Sequence, residues 1–570
     1  MADKNTLITG LRRWVAYRIW SFAALSVAFL VVMPIVAIAI LALFPSENIW
    51  PHLVSTTLPR YLGNSAILVL CVGALAGAAG TGAAWFLTMY QFPGARWLGW
   101  ALLMPLAIPA YVGAYALVDF LEYAGPVQTG LRQLFGWETS RDYWFFQVRS
   151  MGMAIVVLSA ALYPYVYLIV RAALSEQSAS AFEVSRALGS GPWKQFWRVG
   201  MPLARPAIAA SVAIVMMETV SDFGAVSYFA VQTLTTGIFA TWLDGGNAGG
   251  AAQIASMILL VVLVLVALEK RNRARQRFFQ SPRHTRPVSQ TQLVGWKGWA
   301  VFGLCFIPFA TGFLLPGLVI ASHALDNAGE WLEPGLLLAL RNTVLVGGAA
   351  AIVTLIAALI LTSGARLSAQ TLPRKILPIT TIGYAAPGAV LGVGILIPMS
   401  AFDHLQADVV LALTGHDPGL LFTGTAIAIV YAYCVRFFAV AQGAIDSALG
   451  RIPPTLYYAA RSLGQNNTGV MARVTLPMIR RSVATALLLV FVDCVKELPA
   501  TLLLRPFNFN TLSTRVYEKA SLEQIGQAAP AAILVSLVGL GAVLIMARTN
   551  PAMKVLRRAE KRPKPRGVPL

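Results

Sequence analysis

Five ionisable residues lie inside two apolar segments of this sequence. They form two acid pairs at corresponding positions of the two segments, with one base beside the second pair: Glu218, Asp222, Asp493, Glu497 and Lys496. The acids of each pair are spaced i, i+4 and share one face of a helix. Charges within apolar segments are costly and usually functional. Two interpretations stay open: an acidic translocation pathway favouring a cation, or local pairing with Lys496, Arg505 or another basic residue.

The remaining side chains do not indicate a metal site, a redox site, a phosphate-binding loop or an enzyme active site. The four cysteines lie in apolar stretches without metal-ligand or redox spacing, and the histidines are scattered. The phosphate-binding pattern G-x-x-x-x-G-K-[ST] does not occur, and no base is paired with a nucleophile. We therefore expect no metal site, no cofactor bound by this chain and no enzymatic activity of its own.

The elements that carry the acids are predicted to be membrane spans. Of the 570 residues, 57% are hydrophobic and 12% are charged, whereas soluble domains carry about a quarter charged residues. The mean hydropathy is +0.68, and a bilayer-spanning helix needs about 20 apolar residues. We therefore predict an all-α integral membrane protein with about twelve transmembrane helices. The apolar runs are 22–45, 64–89, 97–121, 150–172, 204–228, 252–268, 298–321, 342–363, 376–400, 421–445, 482–500 and 527–547.

Basic residues concentrate in three connecting or terminal segments of the chain. The net charge is +20, and Lys and Arg crowd the N-terminus, the segment 269–297 and the tail 548–570. Twelve spans place all three segments on one side, which the positive-inside rule makes cytoplasmic. Both termini are therefore expected in the cytoplasm, with membrane lipid and no nucleic acid as partner. The predicted domains are 1–268 and 298–547, joined by the basic linker.

The two predicted domains are copies of one six-helix unit. At one nearly constant offset along the sequence, Asn64 matches Asn342, and Pro109 matches Pro387. The segments that begin at Thr233 and Thr511 also match. An even number of spans in each copy makes the repeats parallel, related by an axis along the membrane normal.

The loop between the fourth and fifth spans of each copy has the most specific pattern. Gly189 precedes Pro202 at the same spacing as Gly464 precedes Pro477. Gly after a helix and Pro at the start of the next are ordinary stop and start signals. Each loop is predicted to present a short exposed helix.

These loops resemble the Glu-Ala-Ala loop of type I ABC importer permeases, the MetI-like superfamily. The candidate coupling-loop residues are Glu183, Arg186, Gly189 and Pro202 in the first copy, and Tyr458, Ala459, Ala460, Arg461, Gly464 and Pro477 in the second. The resemblance implies that each loop is a coupling helix docking on a separate ATPase, which uses ATP and Mg. It implies two ATPase copies, a periplasmic or lipid-anchored substrate-binding protein, and a bacterial inner membrane. Tyr458 replaces the family's Glu, so the two docking contacts should differ.

Two further segments closely resemble fused ferric-iron permeases. The overall resemblance to these permeases, including the fused arrangement, covers essentially the whole chain. They begin at Ser221 and at Lys496, and the second includes Arg505-Pro506. This resemblance implies ferric iron as the substrate. Thiamine and aminoalkylphosphonate permeases share the fused arrangement and stay open as alternatives. A secondary transporter with twelve spans is an alternative of another class, although it would not need a matched loop in each half.

Overall fold

The computed structural model describes residues 2–45, 48–175, 177, 179–274, 290–367, 372–381, 383 and 386–549. Within these ranges the chain is almost entirely helical, as predicted. One parallel pair of two-residue strands joins β1 (Tyr90–Gln91) to β2 (Thr291–Gln292), with Tyr90 opposite Thr291. Most of the predicted basic linker and nearly all of the basic tail lie outside the described residues.

The helices follow the apolar runs and are separated by Pro, Gly and polar residues. The first half contains α1 (Ala2–Leu43), α2 (Trp50–Ser55), α3 (Leu58–Met89), α4 (Ala95–Ala101), α5 (Ala110–Leu121), α6 (Pro126–Phe135), α7 (Met151–Ser175), α8 (Ala179–Ala187), α9 (Pro192–Gln195), α10 (Met201–Ser221), α11 (Gly224–Tyr228), α12 (Leu234–Phe239) and α13 (Ala248–Ala274). The second half contains α14 (Trp296–Phe309), α15 (Leu315–Asp326), α16 (Pro334–Leu367), α17 (Leu372–Ile376), α18 (Gly388–Thr414), α19 (Ala426–Gly450), α20 (Pro454–Ser462), α21 (Asn467–Val470), α22 (Leu476–Lys496), α23 (Pro499–Leu504), α24 (Leu512–Ser521) and α25 (Ile525–Thr549).

Ten of the described helices are long and apolar enough to cross a membrane, or eleven when one bent pair counts as a single span. Eleven of the predicted runs correspond to these. The remaining run, 482–500, falls on α22, a helix of 21 residues. Arg480, Arg481, Asp493 and Lys496 lower its hydropathy below that of its neighbours.

The third predicted span, 97–121, is broken rather than continuous. The helical segments Ala95–Ala107 and Ala110–Phe135 meet at an angle of 97°. Pro109 precedes α5 with φ −58° and ψ 144°, an extended conformation that ends the preceding helical segment. The matching Pro387 precedes α18 in the same conformation, with φ −56° and ψ 150°.

The described chain forms two compact units, and each unit combines segments from both sequence halves. The first unit consists of Met1–Tyr61, Thr233–Leu263 and Leu332–Arg515. In it, α1 packs against α16 and α18. The approach is close, since a Cβ on Gly394 would lie 2.4 Å from the carbonyl oxygen of Pro34. The hydroxyl of Tyr431 donates to the Leu30 carbonyl oxygen at 2.6 Å.

The second unit consists of Leu62–Gln232, Val264–Trp331 and Val516–Leu570. In it, α15 packs against α5 and α25. A Cβ on Gly312 would lie 2.3 Å from the Ala160 carbonyl oxygen, so the α14–α15 segment lies directly against α7. The first helical segment of each sequence half therefore packs in the unit that holds the central helices of the other half.

The repeat predicted from the sequence has matching hydrogen bonds in the two units. The Asn64 side chain donates to the Gln232 carbonyl oxygen at 2.8 Å in the second unit, and Asn342 donates to the Asn510 carbonyl oxygen at 3.0 Å in the first. In each unit the asparagine therefore connects the first part of a long helix, α3 or α16, to the loop after a short helix, α11 or α23. The same loops each contain a non-glycine residue with positive φ, Ala230 at 56° and Asn508 at 60°.

Candidate coupling segments and membrane carboxylates

The two predicted coupling loops each contain a short helix that ends in the same hydrogen-bonded motif. After α8, Gly189 N–H donates to the Arg186 carbonyl at 2.9 Å, and Ser190 N–H donates to the Ser185 carbonyl at 3.0 Å. After α20, Gly464 and Gln465 make the equivalent bonds to Arg461 and Ala460, at 3.0 and 3.1 Å. This pair of bonds is the Schellman motif, which closes a helix through a left-handed residue.

Gly189 and Gly464 supply the left-handed residue. Their φ values are +74° and +83°, a region in which residues with a Cβ are strained. A Cβ at either position would meet no atom within 4 Å. The requirement for glycine therefore comes from the backbone conformation and not from crowding.

Beyond each glycine, the chain forms the same succession of elements in both copies. A short helix, α9 or α21, leads into a π-helical turn, Phe196–Gly200 or Met471–Thr475. Pro202 and Pro477 follow these turns directly, at the second position of α10 and α22. The π-helical turns were not predicted from the sequence.

The tips of both segments expose apolar side chains. Leu188 is 80% exposed and Leu463 is 82% exposed, at matching positions. Val184 and Trp193 are also exposed in the first copy, and Tyr458 is exposed in the second. Glu183, Gly189, Ala459 and Gly464 lie on the same exposed parts of the chain, whereas Arg186 and Arg461 are half-buried and Ala460 is buried.

In the first copy, the base of the segment is held by aromatic packing. Phe182 is buried, and its ring lies 6.0 Å from that of Trp85. The Phe196 ring is 5.1 Å from the same Trp85 ring, and the Gln195 amide donates to the Phe182 carbonyl at 2.9 Å. The anchor is thus an apolar socket closed by one buried hydrogen bond.

In the second copy, the anchor is polar. Tyr457, which matches Phe182, donates its hydroxyl to the side-chain oxygen of Asn467 at 2.9 Å. Arg461 donates to the same Asn467 oxygen at 2.9 Å and to the Tyr457 hydroxyl at 3.2 Å. The two loops were predicted to differ at the exposed position occupied by Glu183 and Tyr458. They differ also in the residues that anchor each loop.

Asp222 and Glu497 lie where α10 and α22 end, at matching positions. The Asp222 carboxylate accepts from the Ala225 and Val226 N–H groups at 3.0 and 3.1 Å. The Glu497 carboxylate accepts from the Ala500 N–H at 3.1 Å. Each acid therefore caps a short helix, α11 or α23, whose first N–H groups have no partner within the helix.

Glu497 has in addition a buried ion pair. The guanidinium of Arg436, on α19, lies 3.1 Å from the second Glu497 carboxylate oxygen, and the two side chains are 13% and 5% exposed. The Ser513 hydroxyl donates to the Glu497 carbonyl at 2.8 Å. The basic partner is thus an arginine from another helix, a choice that the sequence left open.

The other predicted pathway residues lie within the helices. Glu218 is half-buried on α10, one turn before Asp222. Asp493 and Lys496 are half-buried on α22. Asp493 is close enough to Lys496 to interact with it electrostatically. The assignment of these acids to a translocation pathway stays a prediction.

The second unit contains an open cleft that was not predicted from the sequence. Its volume is about 510 Å³, and Asp119, Glu122 and His323 line it. The His323 ring lies 2.7 Å from the Asp119 carboxylate, and Arg149 pairs with Glu122 at 2.8 Å. His323 and Asp119 are 204 residues apart in sequence, so no local pattern indicates the pair.

Part of the chain matches a known family of membrane proteins. Residues 72–277 match the family described as binding-protein-dependent transport system inner membrane component. The predicted resemblance to type I ABC importer permeases is confirmed by this match. The long apolar helices among the described residues agree with a multi-pass membrane protein.

Similar proteins include several ferric-iron permeases. The Fe(3+)-transport system permease protein FbpB 2 of Haemophilus influenzae is 28% identical over 84% of this chain and 87% of its own length. The ferric transport system permease protein FbpB of Actinobacillus pleuropneumoniae is 23% identical over 84% of this chain and 70% of its own. The predicted resemblance to fused ferric permeases is also confirmed.

Shorter permeases match part of the chain. The molybdenum transport system permease protein ModB of Escherichia coli is 26% identical over 32% of this chain and 79% of its own length. A chain of a bacterial alginate ABC transporter crystal structure aligns with 47% of this chain at 15% identity and a TM-score of 0.36.

Proposed function

We propose that this chain is the membrane-spanning permease of an ATP-binding-cassette importer that carries ferric iron across the bacterial inner membrane. The observation that carries the proposal is the pair of Schellman-capped segments at matching repeat positions, each with an exposed leucine at its tip. Similarity to ferric permeases over 84% of the chain supports the choice of ferric iron.

The proposed partners follow from the two segments and from the family. One ATPase copy docks on the segment around Gly189 and a second copy docks on the segment around Gly464. ATP and Mg are used by those ATPase chains, and this chain binds no cofactor. A periplasmic or lipid-anchored binding protein delivers the substrate on the opposite side, and both termini of the chain are cytoplasmic.

The two ATPase contacts differ chemically in this proposal. The first segment presents Glu183 and Trp193, and the second presents Tyr458 at the position of Glu183. The apolar socket around Phe182 and the polar anchor around Tyr457 hold the two segments by different interactions. Exposed leucines are common to both contacts and supply apolar area.

The proposed translocation pathway includes Glu218, Asp222, Asp493 and Glu497, with Lys496 beside the second pair. Asp222 and Glu497 also cap α11 and α23. Neutralising all four acids together should reduce transport more than it reduces ATPase docking.

Reconstitution tests the proposal directly. The chain, its ATPase and its binding protein are placed in proteoliposomes, and uptake of Fe³⁺, thiamine and an aminoalkylphosphonate is compared. ATP-dependent uptake of Fe³⁺ alone is expected. Uptake of another substrate would reject ferric iron, whereas uptake without ATP or without an associated ATPase would indicate a secondary transporter.

A further inference from the structure

A cluster of tyrosines surrounds α5 in the second unit. Tyr111 and Tyr115 are one turn apart on this helix, with ring centroids 5.9 Å apart. The Tyr228 ring, at the end of α11, meets the Tyr115 ring edge-on at 4.4 Å. Tyr517, on α24, packs at 5.6 Å against Phe223, the neighbour of Asp222. Helices α5, α11 and α24, with the Asp222 carboxylate that caps α11, thus place tyrosine side chains and a carboxylate in one region of the unit.

The hydroxyl of Tyr115 is buried and, among the described residues, unsatisfied. Tyr115 is 4% exposed, and its hydroxyl has no hydrogen-bond partner among the described residues. It lies within electrostatic range of the Tyr111, Tyr228 and Tyr517 hydroxyls and of the Asp222 carboxylate. A buried polar group without a partner costs about 1–3 kcal/mol, a cost that a bound ligand would offset.

The fold does not require these phenols. The same architecture recurs in the first unit, where the positions of Tyr111, Tyr115, Tyr228 and Tyr517 are taken by apolar residues: Ala389, Val393, Leu503 and Phe239. There Leu503 fills the space beside Gly392, whose Cβ would lie 2.7 Å from the leucine side chain. Packing alone is thus satisfied by hydrocarbon at these positions.

The carboxylate of the cluster also differs between the units. Glu497 is paired with Arg436, whereas the residue that matches Arg436 in the first copy is Ala161. Both backbone N–H groups donate to the Oδ1 atom of Asp222, and neither donates to its Oδ2 atom. The Asp222 carboxylate of the first copy therefore lacks the arginine that pairs with the Glu497 carboxylate in the second copy.

The cluster and the open cleft of the same unit share helix α5. Asp119, which lines the cleft, follows Tyr115 by one helical turn on α5. Tyr228 lies within electrostatic range of Arg149, Glu122 and Asp119, and the Arg149 guanidinium lies 5.1 Å from the Tyr228 ring centroid.

We propose that Tyr115, Tyr228, Tyr517 and Asp222 form a transient oxygen-donor site for ferric iron in transit, and this inference rests on the proposed function. Phenolate and carboxylate oxygens are hard, anionic donors, which suit a small ion of high charge. Each phenol that binds releases its proton to water as the Fe–O bond forms, and no electron is transferred.

Optical titration of the full chain in lipid nanodiscs tests the site. Ferric nitrilotriacetate is added, and the visible phenolate-to-iron charge-transfer absorption is recorded. The band is expected in the unchanged chain, strongly reduced in the double variant Tyr115→Phe/Tyr228→Phe, which keeps Tyr517, and weakened in Asp222→Asn. No band in the unchanged chain, or an equal band in the double variant, overturns the proposal.

Tyr163→Phe is the matched control. Tyr163 is fully buried on α7, and its hydroxyl also has no partner among the described residues, but it lies outside the cluster. Removing either unpartnered hydroxyl leaves packing unchanged, so the variants should fold. The control should keep the band at full intensity.

Uptake of radioactive iron separates the site from the proposed function. If the unchanged chain carries no Fe³⁺ in proteoliposomes, the proposed function fails. If it carries Fe³⁺ and Tyr115→Phe/Tyr228→Phe carries it at the same rate, the function stands and the site is rejected. We expect slower uptake by the double variant and normal uptake by Tyr163→Phe.

Discussion

The carboxylates of Asp222 and Glu497 show how one repeated position acquires two environments. Both accept a hydrogen bond from the N–H three residues further on, but only Glu497 meets an arginine among the residues that the structure describes. A buried ion pair is weak support for stability as a whole, yet removing one partner leaves a buried charge uncompensated. The consequence of a single substitution therefore depends on which partner is removed.

Replacement of Arg436 by leucine should lower the free energy of unfolding by about 3–5 kcal/mol, because Glu497 would stay buried and charged. Thermal unfolding of the purified protein in detergent measures the loss. Adding Glu497→Gln to the same chain should recover much of it, since glutamine still accepts from the Ala500 N–H without a charge. An unchanged melting temperature in Arg436→Leu would contradict the importance of the pair.

At the scale of the element, the coupling segments depend on one backbone conformation. The Schellman motif sets the direction in which the chain leaves α8 and α20, and the left-handed glycines make this direction accessible. Because the same residues are surrounded by open space, the exposed tip is available to a partner. Stability and docking can therefore be tested separately.

Valine at Gly189 or Gly464 should uncouple transport from ATP hydrolysis while the protein still inserts. The left-handed conformation costs a β-branched residue about 1–2 kcal/mol, which favours a different exit from the helix. Asparagine, which tolerates this conformation, is the control and should keep coupling. Uptake and ATPase activity in proteoliposomes are compared, and normal uptake in both valine variants would reject the coupling assignment.

Aspartate at Leu188 or Leu463 should weaken ATPase binding and leave stability within about 0.5 kcal/mol, because both leucines are exposed in the isolated chain. Co-purification with the ATPase reports binding. Leu332→Asp, at a leucine that is 88% exposed in a loop predicted on the opposite side, is the control. Equal retention of the ATPase by all three variants would exclude the tips from the interface.

For the whole molecule, the compact units do not coincide with the sequence halves. The unit that holds Leu332–Arg515 also takes Met1–Tyr61 and Thr233–Leu263 from the first half. Burial of α1 against α16 and α18 thus depends on residues from the other half of the sequence. Neither half by itself contains all the segments of a unit.

A chain divided between positions 275 and 289 should work only when both fragments are made together. Each fragment alone lacks segments that complete its unit, and we expect it to be degraded or aggregated. Co-expression should restore a complex that co-purifies and transports. A single fragment as resistant to proteolysis as the intact chain would show that the halves fold independently.

Local pattern determined much of this protein from the sequence alone. The apolar runs indicated the spans, since a bilayer demands their length, and Gly189 and Gly464 indicated the helix ends, since few other residues adopt their conformation. The duplication was visible because matching residues, such as Asn64 and Asn342, recur at one nearly constant offset. These features depend on neighbours in the chain or on spacing that the sequence displays.

Only the tertiary structure decided which segments share a unit, that Arg436 neutralises Glu497, and that Tyr111, Tyr115 and Tyr228 pack together. It also replaced the continuous third span by a break at Pro109, where the preceding helical segment ends and α5 turns away by 97°. The physical reason is common to all of them. Contacts between residues hundreds of positions apart depend on packing geometry, which hydropathy and spacing along the chain do not determine.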